Sequence, residues 1–504
     1  MKKLLLFIGV CFVSFANAQD LTDALRYSNQ SLLGTARYRA MSGAFGALGG
    51  DLSAIQINPA GSAVFLNSQL SVTLSGAGYE SDVFYFNGFN NSSGSNLNFN
   101  QLGAVFVYDD ASGTSPINKL TLTLAYDQTS DNEFTYSAFG RSSNSIGNLF
   151  YNYAQNNIAL ELLQRNSGQS ISDRYALLGE QYGYNEQQAY LGYEAFIFNP
   201  EDPNDGNSTS YVRNFSGDFF DQEYRYESTG LNGKFSVNGG AQINNDFYLG
   251  VNLNSHFISY DRVTDFFEAN NNSGSNIQEV LFTNRLSTRG AGFSAQIGGI
   301  AKVADIFRLG FAVESPTWYS IEEETTQALE TFSETDGVAL VAPDIVNLFP
   351  EYQLRTPASY TGSVAILFGT QGLISLDYNY KDYTTTKFSS DFGIDYSDLN
   401  DAIDTTYQGA ATIRVGGEWR NDNWSFRGGF SYEESPFQDE SFASEKTGVS
   451  FGLGYNWGKY KLDFAYDVTQ QETIQQFYPG SGFNNSALVD TYRDNLTFTF
   501  GINF

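Results

Sequence analysis

Cysteine and histidine are almost absent from this chain: one of each, Cys11 and His256, stands in 504 residues. That excludes a disulfide framework and the clustered Cys/His ligand sets of zinc or haem sites. Basic residues are also scarce, 27 Lys and Arg against 56 Asp and Glu, for a formal charge of −29. A surface of that sign repels phosphates, so nucleic acid is not expected as a partner. Long hydrophobic runs are missing too. After Phe15 no stretch approaches the ~18 consecutive apolar residues of a membrane-crossing helix. What is plentiful is aromatic side chains, 16% of the chain, and glycine, 49 residues.

The first residues set an address. Lys2 and Lys3 precede an uncharged apolar run from Leu4 to Phe15, and Ala16-Asn17-Ala18 follows as a small-residue cleavage site. The run falls well short of the roughly 20 residues an anchor helix needs, and Gly9-Val10 before Cys11 does not read as a lipoprotein box. Residues 1–18 are therefore expected to be a signal peptide, with the mature chain starting at Gln19 and lacking any thiol.

With helical spans excluded, the choice lies between a soluble all-β protein and a transmembrane barrel, whose alternating strands leave no hydropathy peak. The alternation is clearest at the C-terminus. Leu496, Phe498, Phe500, Ile502 and Phe504 interleave with Asn495, Thr497, Thr499, Gly501 and Asn503. Tyr460, Leu462, Phe464, Tyr466 and Val468 do the same against Lys461, Asp463, Ala465 and Asp467, as do Leu120, Leu122, Leu124 and Tyr126 against Thr121 and Thr123. A soluble sandwich also alternates, but here the polar face carries charge, the strand ends are aromatic and the last residue is Phe504, similar to the terminal signal of many outer-membrane barrels.

Counting by this pattern predicts fourteen strands, beginning near 68, 98, 119, 223, 247, 278, 307, 355, 373, 408, 424, 445, 459 and 490. Fourteen is even, as single-chain bacterial barrels require. Tight turns are expected near Asn244-Asn245-Asp246, Val303 to Ile306, Gly369 to Gly372, Asn421 to Asn423 and Gly458, with long loops between. Short turns facing the periplasm place both termini there. The expected fold is thus all-β, a 14-stranded antiparallel transmembrane barrel over 68–504, in the outer membrane of a Gram-negative bacterium, with residues 19–67 left over as a plug inside the lumen.

That leading segment contains Gly34-Thr35-Ala36-Arg37, then Met41-Ser42-Gly43-Ala44-Phe45-Gly46-Ala47-Leu48-Gly49-Gly50-Asp51, then Asn58-Pro59-Ala60-Gly61. It resembles the N-terminal hatch of the FadL family of outer-membrane long-chain fatty-acid and hydrocarbon transporters, in which a Gly-rich stretch leads into Asn-Pro-Ala just before the first strand. Arg308-Leu309-Gly310 with Ser315-Pro316, Arg355-Thr356-Pro357, and Arg414-Val415-Gly416-Gly417-Glu418 are similar to recurring strand patterns of that family. The resemblance implies passive, hatch-gated uptake of a hydrophobic small molecule by a monomer, with Asn58, Pro59, Ala60 and Gly61 at the gate. It also implies a lateral exit at a kinked third strand, here Lys119 to about Phe139 with Asp131-Asn132 as the interruption. Independently of the resemblance, Gly and Ala permit close backbone approach in a narrow lumen. Pro59 fixes its own φ and biases Asn58 toward extended geometry, a stiff corner from plug to wall or simply an ordinary turn.

The longest loop, about 140–221, is too long to be a passive connector. Phe150, Ala154, Ile158 and Leu162 recur at i, i+4, predicting an amphipathic helix, and Tyr190, Leu191, Tyr193, Phe196, Ile197 and Phe198 cluster. Phe150, Ile158, Tyr193, Phe196 and Phe198 are the candidates for ligand capture, unless they only pack the loop on itself. A second long loop is expected from Ile321 to Leu354, its Glu322-Glu323-Glu324 a solvated face or a cation-bridged contact to lipopolysaccharide.

No catalytic residue, metal site or cofactor is expected. His256 faces the lumen by the alternation around it, with Asp261 and Arg262 near in sequence, but no motif completes an Asp-His or Ser-His site. A plug-domain receptor with 22 strands needs more chain than this. Two rival readings stay open: a structural or adhesive barrel whose plug never moves, and a porin-like channel for small polar solutes, which would suit the inward charges Arg414, Glu418, Arg427, Glu433, Asp463 and Asp467.

Overall fold

A computed structural model describes residues 21–29, 31–110, 115–478 and 482–504. The expected signal peptide and the start at Gln19 lie outside these. Fourteen antiparallel strands form a closed barrel. They are β1 (Gln69–Tyr85), β2 (Gly88–Asp109) and β3, which runs as Ile117–Asp131 and resumes as Phe134–Ser142. Next come β4 (Phe220–Ile243), β5 (Phe247–Ala269) and β6 (Ile277–Ala304). β7 (Phe307–Glu314, then Trp318–Ser333), β8 (Asn347–Arg355, then Ser359–Phe368) and β9 (Gly372–Asp382, then Lys387–Ser389) are each interrupted once. β10 (Gly409–Asn421), β11 (Trp424–Glu433), β12 (Lys446–Asn456), β13 (Tyr460–Gln476) and β14 (Ser486–Asn503) complete the circuit. Closure is made by β14 on β1, in register from Asn503↔Gln69 to Leu488↔Phe84.

The strands are longer than a bilayer requires. β1 has 17 residues and β6 has 28, against roughly 9–11 to cross. The outer face divides accordingly. On β5, Phe247, Leu249, Val251 and Leu253 are exposed near the short-turn end, whereas Asp261 and Asp265 occupy outward positions farther along. Comparable exposed apolar side chains, among them Ile374, Leu376 and Tyr378 on β9 and Leu496, Phe498 and Phe500 on β14, continue the band around the barrel. A continuous belt of this kind is far larger than the apolar patches soluble proteins leave open, so the solvent that fits it is lipid. Trp419, Trp424 and Trp457 are exposed at its short-turn edge, where amphipathic rings suit the lipid interface. No helix among the described residues is long and apolar enough to cross a membrane.

Two strand boundaries differ from expectation. β2 begins at Gly88 rather than near 98, because 90–96 is polar on both faces and shows no alternation, yet it is held by β1 from Gly88↔Tyr85 onward. The second expected loop, Ile321 to Leu354, is instead mostly wall. β7 runs to Ser333 and folds back as a hairpin on Gly337–Val341, and β8 starts at Asn347. The acidic triplet therefore alternates: Glu322 and Glu324 face outward, while Glu323 is buried and accepts from Thr288 Oγ1 and Tyr352 OH. Beyond the lipid no constraint demands apolar side chains outside, so the period-two signal fades although the strand does not.

The segment before β1 fills the lumen. Helix α1 (Leu21–Ser28), the single turn α2 (Ala36–Arg39) and two 3-10 turns, Ser53–Gln56 and Pro59–Val64, are joined by compact loops. Almost every residue from Leu33 to Ala63 is buried. Above it, residues 143–219 form a cap of four helices, α3 (Gly147–Ala154), α4 (Leu160–Leu163), α5 (Ile171–Gln181) and α6 (Tyr184–Glu194), with a small hairpin, Phe198–Pro200 on Tyr211–Arg213.

Candidate functional site

Two arginines on α2 fasten the plug to one side of the barrel. Thr35 caps the turn, accepting from Tyr38 N and donating to Asp51 at 2.6 Å. This aims Arg37 Nε at Glu418 on β10 (2.9 Å) and Arg39 at both carboxylate oxygens of Asp467 on β13 (2.8 and 2.9 Å). Glu418 also receives Arg420 and Arg427, and Arg427 reaches on to Asp463. Burial pushes the Asp51 carboxyl above its ordinary value, opposed by the charge of Arg37 and by the Thr35 and Ser53 hydrogen bonds. Of the inward charges read from sequence, Glu418, Arg427, Asp463 and Asp467 thus serve the plug or its wall, and Arg414 and Glu433 line a small polar cavity of about 60 Å³.

Asn58 forms the opposite seam. Its backbone is extended (φ −143°, ψ 111°), its Oδ1 accepts from Ala60 N, and Pro59 opens the following 3-10 turn. Its Nδ2 donates to Gly46 O (2.7 Å) inside the plug and to Gly299 O (3.0 Å) on β6. Ala60 is buried against Tyr248 and Ile300, and Gly61 crosses Gly49, where a Cβ would lie 2.7 Å from Gly61 Cα. Wall glycines accept the plug's backbone elsewhere. A Cβ on Gly250 would meet Pro59, one on Gly310 would meet Gly46 O at 2.2 Å, and those on Gly416 and Gly429 would meet Met41. Doublets such as Gly298-Gly299, Gly416-Gly417 and Gly428-Gly429 are the sequence signal for this seat, which a reading by alternation passes over.

Between plug and cap lies a cavity of about 910 Å³, at the upper end of common ligand-site volumes of ~300–1,000 Å³. Leu21, Thr22, Leu25 and Arg26 of α1 line its floor, and Leu149, Tyr153 and Tyr184 of the cap its roof. The walls mix aromatic rings, with Tyr224 stacked on Phe477 at 4.0 Å and Tyr136 on Tyr226 at 5.1 Å, and polar side chains such as Arg262, Asn284, Gln327, Glu433 and Lys446. Arg26 sits over the Tyr260 ring at 4.5 Å and pairs with Asp23. The helix is held from outside by Tyr407 OH on Leu21 O, Lys381 Nζ on Ser28 O and Tyr383 OH on Asn29 Oδ1.

The five capture candidates fall differently. Phe150, Ile158 and Phe198 are buried in a core that the cap shares with the upper barrel wall, Phe150 lying edge-on to Phe282 of β6 at 5.1 Å, so in this structure they pack rather than line an accessible groove. Tyr193 is half-buried against Phe198, and Phe196 is exposed with φ 58°. The predicted helix through Leu162 breaks at Asn157, whose φ is 59°. The i, i+4 stripe identified the face that packs, while the adjoining Leu149 and Tyr153 reach the cavity. His256 is buried with Nε2 2.9 Å from Ser294 Oγ, and Asp261 is bound instead by Arg289 and Ser287.

At β3 the wall changes character. Its ladder with β2 ends at Gln101↔Asp127, and after the interruption at Asn132-Glu133 the strand pairs with β4 alone. Side chains bridge the gap: Asn96 and Asn98 donate to Asp131, and Gln128 donates to Asn98.

The chain matches known structures across nearly its whole length. A Pseudomonas aeruginosa FadL homologue superposes with a TM-score of 0.53 over 95% of this chain and 100% of its own, at 13% identity. The chain has the FadL-type fold. The toluene transporter TodX of P. putida gives 0.52 over 95% and 99%, also at 13% identity. No family model matches the sequence, and no curated protein matches it significantly in sequence. The FadL-type fold therefore meets the resemblance drawn from Asn58-Pro59-Ala60 at the level of architecture.

Proposed function

We propose that the protein is an outer-membrane transporter for passive, hatch-gated uptake of hydrophobic molecules such as long-chain fatty acids, with the cap outside and both termini in the periplasm. The observation that carries this is the large cavity, lined by aromatic rings together with polar side chains and floored by α1, the first described element of the plug. A ligand settling there touches the same chain that obstructs the lumen. The P. aeruginosa FadL homologue and the toluene transporter TodX, which share the fold, support the class of cargo. The filled lumen argues against a permanently open path for polar solutes. In this reading the molecule leaves sideways through the wall at β3, where side chains alone bridge to β2.

The test is uptake of radiolabelled oleate by cells lacking their own transporter, expressing wild type, Asn58→Ala or Leu25→Trp at equal outer-membrane levels. Wild type should exceed the empty vector. Asn58→Ala, which deletes the bonds to Gly46 and Gly299, should lower uptake about tenfold, a loss of roughly 1.4 kcal/mol. Leu25→Trp, which fills the cavity from its floor, should lower it comparably without unseating the plug. Uptake indifferent to Leu25→Trp would remove the cavity as the binding site, and no uptake by wild type would remove oleate as cargo.

A further inference from the structure

We infer that the plug yields on the side facing β1 and β2 while staying seated on the rest of the wall; this rests on the gated reading above. The bonding of the plug is lopsided. Toward β4, β5, β6 and β7 it is held by Asn238 on Pro59 O, Asn252 on Ile55 O, Gln296 on Gln56 O and Arg308 on Leu48 O. Toward β9 to β14 it is held by Asp377 on Gly46 N, Glu418 on Arg37, Ser450 on Ser42, Asp467 on Arg39 and Thr499 on Ala36 N. β8 lies between two bonded strands and has Ser363 pressed on Gly46. On β3, Thr121 and Lys119 meet Ser62 and Phe65 near one end, and Thr129 O accepts from Ser31 N near the other.

Against β1 and β2, no hydrogen bond or ion pair from residues 31–65 is present among the described residues. The contact there is Leu52 and Phe65 on Val105, dispersion alone. The wall beside it is polar and unsatisfied. Ser75 Oγ on β1 and both amide atoms of Asn100 and Gln101 Nε2 on β2 are buried without a hydrogen-bond partner, as are Lys234 Nζ, Asn238 Oδ1, Ser363 Oγ and Ser375 Oγ on the bonded side, so what sets the β1 and β2 side apart is the missing plug-to-wall bonds. Buried polar groups left in this state carry an uncompensated desolvation cost, which water or a polar head group entering the interface removes. The same patch ends where the β2–β3 ladder stops, at Gln101↔Asp127. Loosening here needs no ion pair broken and opens directly onto the seam.

Matched Ser→Cys variants test this without any substrate. Ser75→Cys on β1 and Ser450→Cys on β12 each place one thiol, both fully buried, in a mature chain that otherwise lacks cysteine once residues 1–18 are removed. With purified barrels of normal heat-modifiable mobility, a water-soluble maleimide should label Cys at 75 at least about ten times faster than at 450. Equal rates, or faster labelling at 450, overturn the inference. A transport arm follows. An oxidised Leu52→Cys/Val105→Cys pair should abolish oleate uptake reversibly, and an oxidised Ser42→Cys/Ser450→Cys pair should leave it intact. If both locks block, the plug moves as a whole and the inference fails. If neither blocks although wild type transports, gating itself is wrong, whichever way the labelling falls.

Discussion

Replacing Glu418 by glutamine should make the barrel leak polar solutes. Glu418 is the hub of a buried network in which the guanidinium groups of Arg37, Arg420 and Arg427 converge on one carboxylate with no side-chain exposure. Arg427 keeps Asp463, but Arg37 loses its ion pair with the wall and is left with the Gly50 carbonyl, the Phe45 ring and the nearby charge of Asp51. Breaking a buried ion pair by removing one partner costs about 3–5 kcal/mol. Against the seating of the plug that is a shift of roughly a hundredfold to a few thousandfold in the seated fraction. The readouts are single-channel conductance of the purified barrel and sensitivity of expressing cells to large polar antibiotics, both expected to rise. Unchanged conductance from a correctly folded variant would show that the Arg37 contact does not hold the plug in place.

The second large effect should come from adding one carbon to the wall. In Gly310→Ala the new Cβ falls 2.2 Å from the carbonyl oxygen of Gly46 and 3.0 Å from Ala47 Cα, backbone atoms that cannot swing aside. Gly46 is itself tied by its N–H to Asp377 and by its oxygen to Asn58, so the strain spreads into both seams of the plug. Overpacking typically costs about 1–3 kcal/mol, and a backbone collision belongs at the top of that range. Gly362→Ala on the neighbouring β8 is the control, because a Cβ there meets nothing within 4 Å. Protease susceptibility of the N-terminal segment should increase at least about tenfold for Gly310→Ala and stay within about twofold of wild type for Gly362→Ala. Equal protection in both variants would mean the glycine seat has slack that the geometry does not show.

How far each feature could be read in advance follows from what constrained it. Within the lipid, every outward residue must be apolar and every inward one faces plug or water, so the pattern at Leu496 to Phe504 or Tyr460 to Val468 states its own register. Above the lipid only one face is constrained, which is why Gly88 to Leu97 and Glu322 to Ser333 do not read as strand although the ladders of β1 and β6 carry them. In the cap, the stripe through Phe150 and Ile158 is a true amphipathic signal, and what it marks in the structure is burial between cap and wall. Nothing local in the sequence separates such packing from a ligand-facing stripe.

The chain by itself determined the all-β barrel, its fourteen strands, the short-turn end and the stiff corner at Asn58-Pro59, because each depends on periodicity or on the intrinsic φ of a few residues. Which charges meet was decided only by closure. Arg37 and Glu418 are far apart along the chain, as are Arg39 and Asp467, and their pairing exists because the plug is threaded through a barrel whose last strand returns to its first. The cavity belongs to that same level. Its floor comes from Leu21 to Arg26, its roof from Leu149 to Tyr184 and part of its wall from Phe477, and no stretch of sequence contains the space between them.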